Sequence, residues 1–207
     1  LSDSIQDINK KAEKYGNLKR KKLCYNIEFV SANPTGLLHI GHARNAAIGD
    51  TLARIWEAVG IDVTREYYIN DAGNQIEKLG LSVLIRYINL FGADLQLPED
   101  SYHGSEIIDA ACALKAQFND KYMYLKHDNE KILKTNERDA ELANQIKMFA
   151  KTYMFNMIKQ TLHNFGVDMD IWFAELDLYK NNLIEAILAN LKDHTFHQEG
   201  ALWLRTT

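Results

Sequence analysis

Two histidines three positions apart, His39 and His42, close the segment Ala32-Asn33-Pro34-Thr35-Gly36-Leu37-Leu38-His39-Ile40-Gly41-His42. At that spacing both imidazoles lie on one side of a helix's first turn. Each is able to donate a hydrogen bond to a phosphate oxygen, more strongly when protonated. A helix N-terminus adds free N–H groups and positive potential, which suit the same ligand. Gly41 has no side chain, so a flat ring such as adenine is able to approach the backbone closely. The sequence holds no Gly-x-Gly-x-x-Gly and no Walker-type loop, so a bound nucleotide is expected here. The alternative is a plain helix start with two incidental histidines. A metal reading is weak, because no third ligand is spaced to help. His194 and His197 repeat the spacing in a polar turn without phosphate context, and read as surface residues.

The elements that must position this segment are legible around it. Residues 23–30 read as a strand, residues 39–59 as a long helix and residues 61–69 as a second strand. Ile40, Ala43, Ala47, Ile48, Leu52, Ile55, Trp56 and Val59 form the helix's apolar stripe. Gly60 is its expected C-terminal cap. Strand, helix and strand with short connections make the βαβ unit of a parallel sheet, and ligands bind at the carboxyl ends of such strands. Residues 3–16 read as helix, followed by the basic run Lys19-Arg20-Lys21-Lys22, either a solvated connector or a phosphate contact. From 72 to about 166 the pattern is helical, broken near Gly92 to Gly104 by Pro98 and polar residues, with no strand. Residues 169–174 are a possible strand, 178–192 a helix and 196–205 the start of a hairpin whose last strand lacks a partner.

Composition bounds the class. Of 207 residues 46% are apolar and 25% charged, which excludes a disordered or collagen-like chain. The 24 Lys and Arg against 28 Asp and Glu exclude a uniformly basic nucleic-acid binder, though not a local basic face. No apolar run reaches membrane-spanning length and no signal peptide opens the chain. Cys24 and Cys112 form no Cys-x-x-Cys and are expected as reduced, apolar fillers.

The histidine turn resembles the signature of class I aminoacyl-tRNA synthetases. Ile27-Glu28-Phe29-Val30-Ser31-Ala32-Asn33-Pro34-Thr35-Gly36, His39 to Arg44, Gly49-Asp50 and Tyr67-Tyr68-Ile69-Asn70-Asp71-Ala72-Gly73-Asn74-Gln75-Ile76 narrow the resemblance to the bacterial arginyl-tRNA synthetases. Residues 25–80 carry it densely. Tyr102, Gly104 to Ile108, Trp172 to Glu175 and Gly200 to Thr206 extend it thinly. The resemblance implies an α/β fold: the first half of a Rossmann-type parallel-sheet nucleotide-binding domain with a mainly helical connective insertion. It divides the chain into a lead-in and basic connector (1–22), the half domain (23–80), the insertion (81–166) and a return segment (167–207). It implies ATP-dependent joining of L-arginine to tRNA(Arg) through arginyl-adenylate, with Mg2+ accompanying ATP and no structural metal. A cytoplasmic, monomeric parent is expected.

Carried over position by position, His39 and His42 hold the ATP phosphates and Gly41 makes room for the adenosine. Arg44 adds positive charge nearby, unless it is a plain surface arginine. Glu28 and Asn33 match the family's arginine-binding positions. A carboxylate between Ile27 and Phe29 in a buried strand is costly unless paired, and a guanidinium is its bidentate partner. Otherwise Glu28 is an outward residue at a strand end and Asn33 a turn residue. Asn70, Asp71 and Gln75 fall at the rim near the tRNA acceptor end, where Asn70 or Asp71 alternatively caps the next helix. Leu37 and His103 replace the family's frequent prolines. No Lys-Met-Ser-Lys-Ser-like loop occurs, so the chain is expected to be part of a catalytic domain, inactive alone. Other readings are a small nucleotidyltransferase with a His-x-Gly-His turn and a non-catalytic tRNA-binding or interaction module.

Overall fold

A computed structural model describes residues 1–71, 73–128, 131–180 and 182–205. Ala72 and Thr206, both part of the motifs above, lie outside the described residues. Helix α1 (Ser2–Lys11) leads through an extended connector to β1 (Cys24–Glu28), α2 (Ile40–Ala58) and β2 (Asp62–Ile69). Three helices follow, α3 (Asn74–Asn89), α4 (Ser105–Phe118) and α5 (Glu137–Asn164), as the helical pattern predicts. The chain returns as β3 (Ile171–Ala174), α6 (Leu176–Lys180), α7 (Leu183–Asn190), β4 (Thr195–Gln198) and β5 (Ala201–Leu204). One predicted helix over 178–192 is therefore two, α6 and α7.

The sheet is parallel in the order β1-β2-β3, with Glu28 opposite Glu66 and Tyr67 opposite Trp172. Among the described residues β1 stands at one end of that order. The final strand is not unpaired: β5 pairs antiparallel with β4, Phe196 opposite Trp203. The helix α2 ends as expected, with Gly60 in the left-handed region at φ 89° and its N–H on Glu57 O. A Cβ there would meet the backbone of Lys19, because the basic connector lies against this turn. Arg20 pairs with Asp62 at 2.6 Å. The run thus sits at the amino ends of the strands, away from the histidine segment, and acts as a connector.

The face by which α2 packs differs from the predicted one. Ala46, Gly49, Asp50 and Ala53 are buried, while Ile48, Leu52 and Ile55 stay 53%, 40% and 52% exposed. Small residues let the helix lie close to the sheet: a Cβ on Gly49 would sit 2.2 Å from the Phe29 ring. The larger apolar side chains point away from it. Asp50 is held in this interface by Arg54 and by Arg65 of β2, whose guanidinium also forms a two-pronged pair with Glu57. The cysteines are free and exposed, so neither is a core filler.

Two cores form. One lies among α3, α4 and α5, around Leu79, Tyr87, Ile107, Leu114 and Ile146; the other sits on the sheet, around Phe29, Ala46, Tyr67 and Ile69. Helix α5 joins them, giving Met154 to the first and Ile158 and Leu162 to the second.

Candidate functional site

The loop after β1 starts with two residues in the left-handed region, Val30 at φ 68° and Ser31 at φ 41°. For a β-branched residue such as Val30 this is strained backbone. Asn45 of α2 holds it, accepting the Val30 N–H at 2.8 Å. The turn aims Ser31 at two partners. Its hydroxyl accepts the Tyr68 N–H at 3.0 Å and donates to the Glu28 carboxylate at 2.8 Å. Further along, the Tyr67 hydroxyl donates to Ala32 O. The loop is thereby tied to the carboxyl end of β2.

The histidines themselves start α2. His39 Nδ1 accepts the Gly41 N–H at 3.1 Å, and His42 Nδ1 accepts the His39 N–H at 3.2 Å. The rings stack with centroids 3.8 Å apart. With Nδ1 accepting in each ring, Nε2 is the nitrogen left free to donate. Burial first, then His39, lowers the His42 pKa below 6.5. Protonation of His42 at Nδ1 would break its part of the cap, and an Nε2–H donor needs no charge. Gly41 has a local role too, since a Cβ there would sit 2.9 Å from His39 Cε1. The space above it holds the capping imidazole.

The two rings face different cavities. His42 lines one of about 470 Å3 with Asn33, Thr35, Gly36, Tyr102 and Glu106. His39 lines one of about 300 Å3 with Leu38, Ala43, Leu162 and Phe165. A larger cavity of about 670 Å3, between α4 and α5, shares no residue with the histidine segment. Volume alone therefore does not mark the chemistry.

Glu28 is exposed at the end of an edge strand, with Ser31 as its partner. Among the described residues Glu28 is thus the outward residue at a strand end that was the alternative to a buried carboxylate. Asn33 donates to Gln75 Oε1 at 2.9 Å, which joins two predicted positions. Asn70 is exposed at the end of β2, and Arg44 is exposed on α2. Asp71 is buried and caps no α3: that helix begins at Asn74 without a side-chain cap. Its Oδ2 pairs with Lys151 at 2.8 Å and its Oδ1 accepts the Leu176 N–H at 3.0 Å. Asp71 is thus a strut between β2, α5 and α6 rather than an open rim residue.

Tyr68 shows what sequence reasoning missed. Burial first, then the charges of Glu175, Asp71 and Glu28 with Tyr179, raise its pKa. Glu28 ends β1, Asp71 lies two residues beyond β2 and Glu175 follows β3, so three carboxylates stand at the same ends of the three parallel strands. Glu175 was visible in the sequence only as part of a weak motif. Its place follows from β3 pairing with β2 and from the Glu175 N–H on Ile69 O. Among the described residues no group of three or more His, Cys, Asp or Glu is arranged to hold a metal ion. No described helix is long and apolar enough to cross a membrane.

Comparison with known proteins agrees with this geometry. The family described as tRNA synthetases class I (R), catalytic domain, matches residues 4–204. An arginine–tRNA ligase of Malacoplasma penetrans is 45% identical over 206 residues, and one of Mycoplasmoides gallisepticum 44% over 205. They are matched over 100% and 98% of this chain, which spans only 36% of each relative's length. A crystal structure from Campylobacter jejuni, described as an arginyl-tRNA synthetase, superposes with a TM-score of 0.81 at 33% identity, over 98% of this chain and 42% of that one. The Thermus thermophilus arginyl-tRNA synthetase shares the fold, with a TM-score of 0.53 at 22% identity over 90% of this chain and 29% of its own. With a parallel half-sheet, a histidine-capped helix at its carboxyl end and a family match along nearly its whole length, the chain belongs to the class I tRNA synthetase (R) catalytic-domain family.

Proposed function

We propose that this chain is the part of an arginine–tRNA ligase that receives arginine and the ATP phosphates. The observation that carries the reading is the pairing of two opposite sites at one sheet edge. Glu28 and Glu175, with Asp71 held by Lys151, stand at the carboxyl ends of the three parallel strands, which suits a cationic substrate, and the capped start of α2 offers two Nε2–H donors to an anionic one. In this reading the arginine carboxylate attacks the α-phosphorus of ATP. A P–O bond forms to the carboxylate, pyrophosphate leaves, and arginyl-adenylate results. A terminal hydroxyl of tRNA(Arg) then takes the arginyl group and AMP leaves. His39 and His42 stabilise charge on the phosphates, and the strained loop after β1 fixes where the carboxylate approaches.

Glu28 is the expected guanidinium partner and Asn33, held by Gln75, the expected contact to the rest of the amino acid. Arg44 and Asn70 face solvent near the phosphate and acceptor-end sides. Mg2+ would accompany the triphosphate, and no step here runs through it. A cytoplasmic, monomeric parent completes the proposal.

Glu28→Gln tests it in the complete protein. Glutamine keeps an acceptor for Ser31 but removes the charge, and Glu28 is exposed, so the pair with arginine is only partly desolvated. Its loss is expected to raise the Michaelis constant for arginine about 10- to 100-fold, or about 1.4–2.7 kcal/mol. The constant for ATP should hold. An arginine constant within threefold of wild type would remove Glu28 from the substrate site.

A further inference from the structure

We propose that Lys151 is a positioning residue for the arginine site, acting through Asp71; this deepens the reading above and rests on it. Lys151 belongs to α5, in the helical block, and lies 80 positions from its partner. The Asp71 carboxylate is 1% exposed and the Lys151 side chain 18%. A buried ion pair is seldom retained for stability, since well-packed apolar residues serve as well or better. What this pair fixes is geometry. Oδ2 of Asp71 takes Lys151 and Oδ1 takes the N–H of Leu176, the first residue of α6.

One carboxylate therefore holds the end of β2, the middle of α5 and the start of α6 together. Ile69 O adds a second tie, accepting the N–H groups of both Asp71 and Glu175. The Glu175–Leu176 turn thus hangs from residues 69 and 71, and this turn carries one of the charges beside Tyr68. Lys151 also compensates one of the three carboxylates, leaving Glu28 and Glu175 to meet a cation. Without Lys151, Asp71 has an uncompensated charge and the turn loses its anchor. The site loses both its shape and its balance of charge. The histidine cap is not part of this network, so ATP binding is left alone.

The test uses the complete protein and three variants, Lys151→Met, Asp71→Asn and the double variant. Arginine-dependent pyrophosphate exchange gives separate Michaelis constants for arginine and ATP. Hydrogen exchange at the Glu175 and Leu176 amides gives a readout free of substrate. Lys151→Met is expected to raise the arginine constant on the order of tenfold, with the ATP constant within twofold, and to speed exchange at both amides. Asparagine keeps an acceptor for Leu176 and needs no counter-charge. The double variant should therefore recover part of the loss, to about threefold above wild type, a non-additive pairing. Equal rises in both constants, or an unchanged arginine constant with unchanged amide exchange, would overturn the proposal. If Lys151→Met does not fold, the double variant decides: wild-type arginine binding and wild-type amide exchange overturn it. Absence of arginine-dependent exchange in the wild type would sink the reading of function instead, and the amide readout would still judge the ion pair.

Discussion

Replacing His42 by alanine separates the two jobs given to that imidazole. In the structure its Nδ1 caps α2 by accepting the His39 N–H at 3.2 Å. The length is at the long end for such a bond and the ring is half-buried, so the cap contributes about 1 kcal/mol. The contribution depends on a neutral ring. The His42 pKa lies below its usual 6.5, by burial first and then by His39. A His with a lowered folded-state value prefers to be neutral in the fold. Its stabilisation is complete above 6.5 and is lost as pH falls through the lowered value. Urea denaturation of wild type and His42→Ala at about pH 8 and about pH 5 reads this directly. The variant should be weaker by about 1 kcal/mol at the higher pH and nearly equal at the lower. A difference that is the same at both pH values, or larger in acid, would refute the cap. Nitrogen NMR of the wild type should find both Nδ1 atoms unprotonated. If the proposed function holds, adenylate formation should persist above pH 6.5, because an Nε2–H donor needs no charge on the ring.

Other expectations follow from packing. Gly49→Ala forces a Cβ against the Phe29 ring and should lift α2 from the sheet, costing about 2 kcal/mol or more in denaturant unfolding. A loss below about 0.5 kcal/mol would mean that α2 does not pack by its small face. Arg65→Met takes away both prongs on Glu57 and one of two cations on buried Asp50, and should cost about 3 kcal/mol by the same measurement. An unchanged midpoint would show that Arg54 alone satisfies Asp50.

The elements were legible because their ends are marked in the sequence. Gly60 stops α2, and the polar stretch holding Pro98 separates α3 from α4. The packing face of α2 was not legible, for a physical reason. Periodicity reports that a helix has two unlike faces, but not which one meets the sheet. The usual rule assigns the larger apolar side chains to the interface. Here Ala46, Gly49 and Ala53 take it, because close approach to Phe29 leaves no room for them. The choice between the two readings of Glu28, a paired buried carboxylate or an outward residue at a strand end, was open in the sequence for a similar reason. An alternating pattern does not say which face of the sheet is covered, and so does not fix whether the Glu28 side chain is buried.

The site divides along the same line. His39 and His42 were readable because the interaction that places them is local, a cap closed within four residues. Asn33 with Gln75, Asp71 with Lys151, and Glu175 beside Tyr68 are made by strand order and helix packing across 42, 80 and more than a hundred positions. In the proposed function, local chemistry accounts for the phosphate end, while the cation end forms only once three strand ends stand side by side. A substitution that breaks the Asp71–Lys151 tie should therefore reach arginine before it reaches ATP, even where it touches neither ligand. The Lys151 variants are the case in which that order of effects is measured.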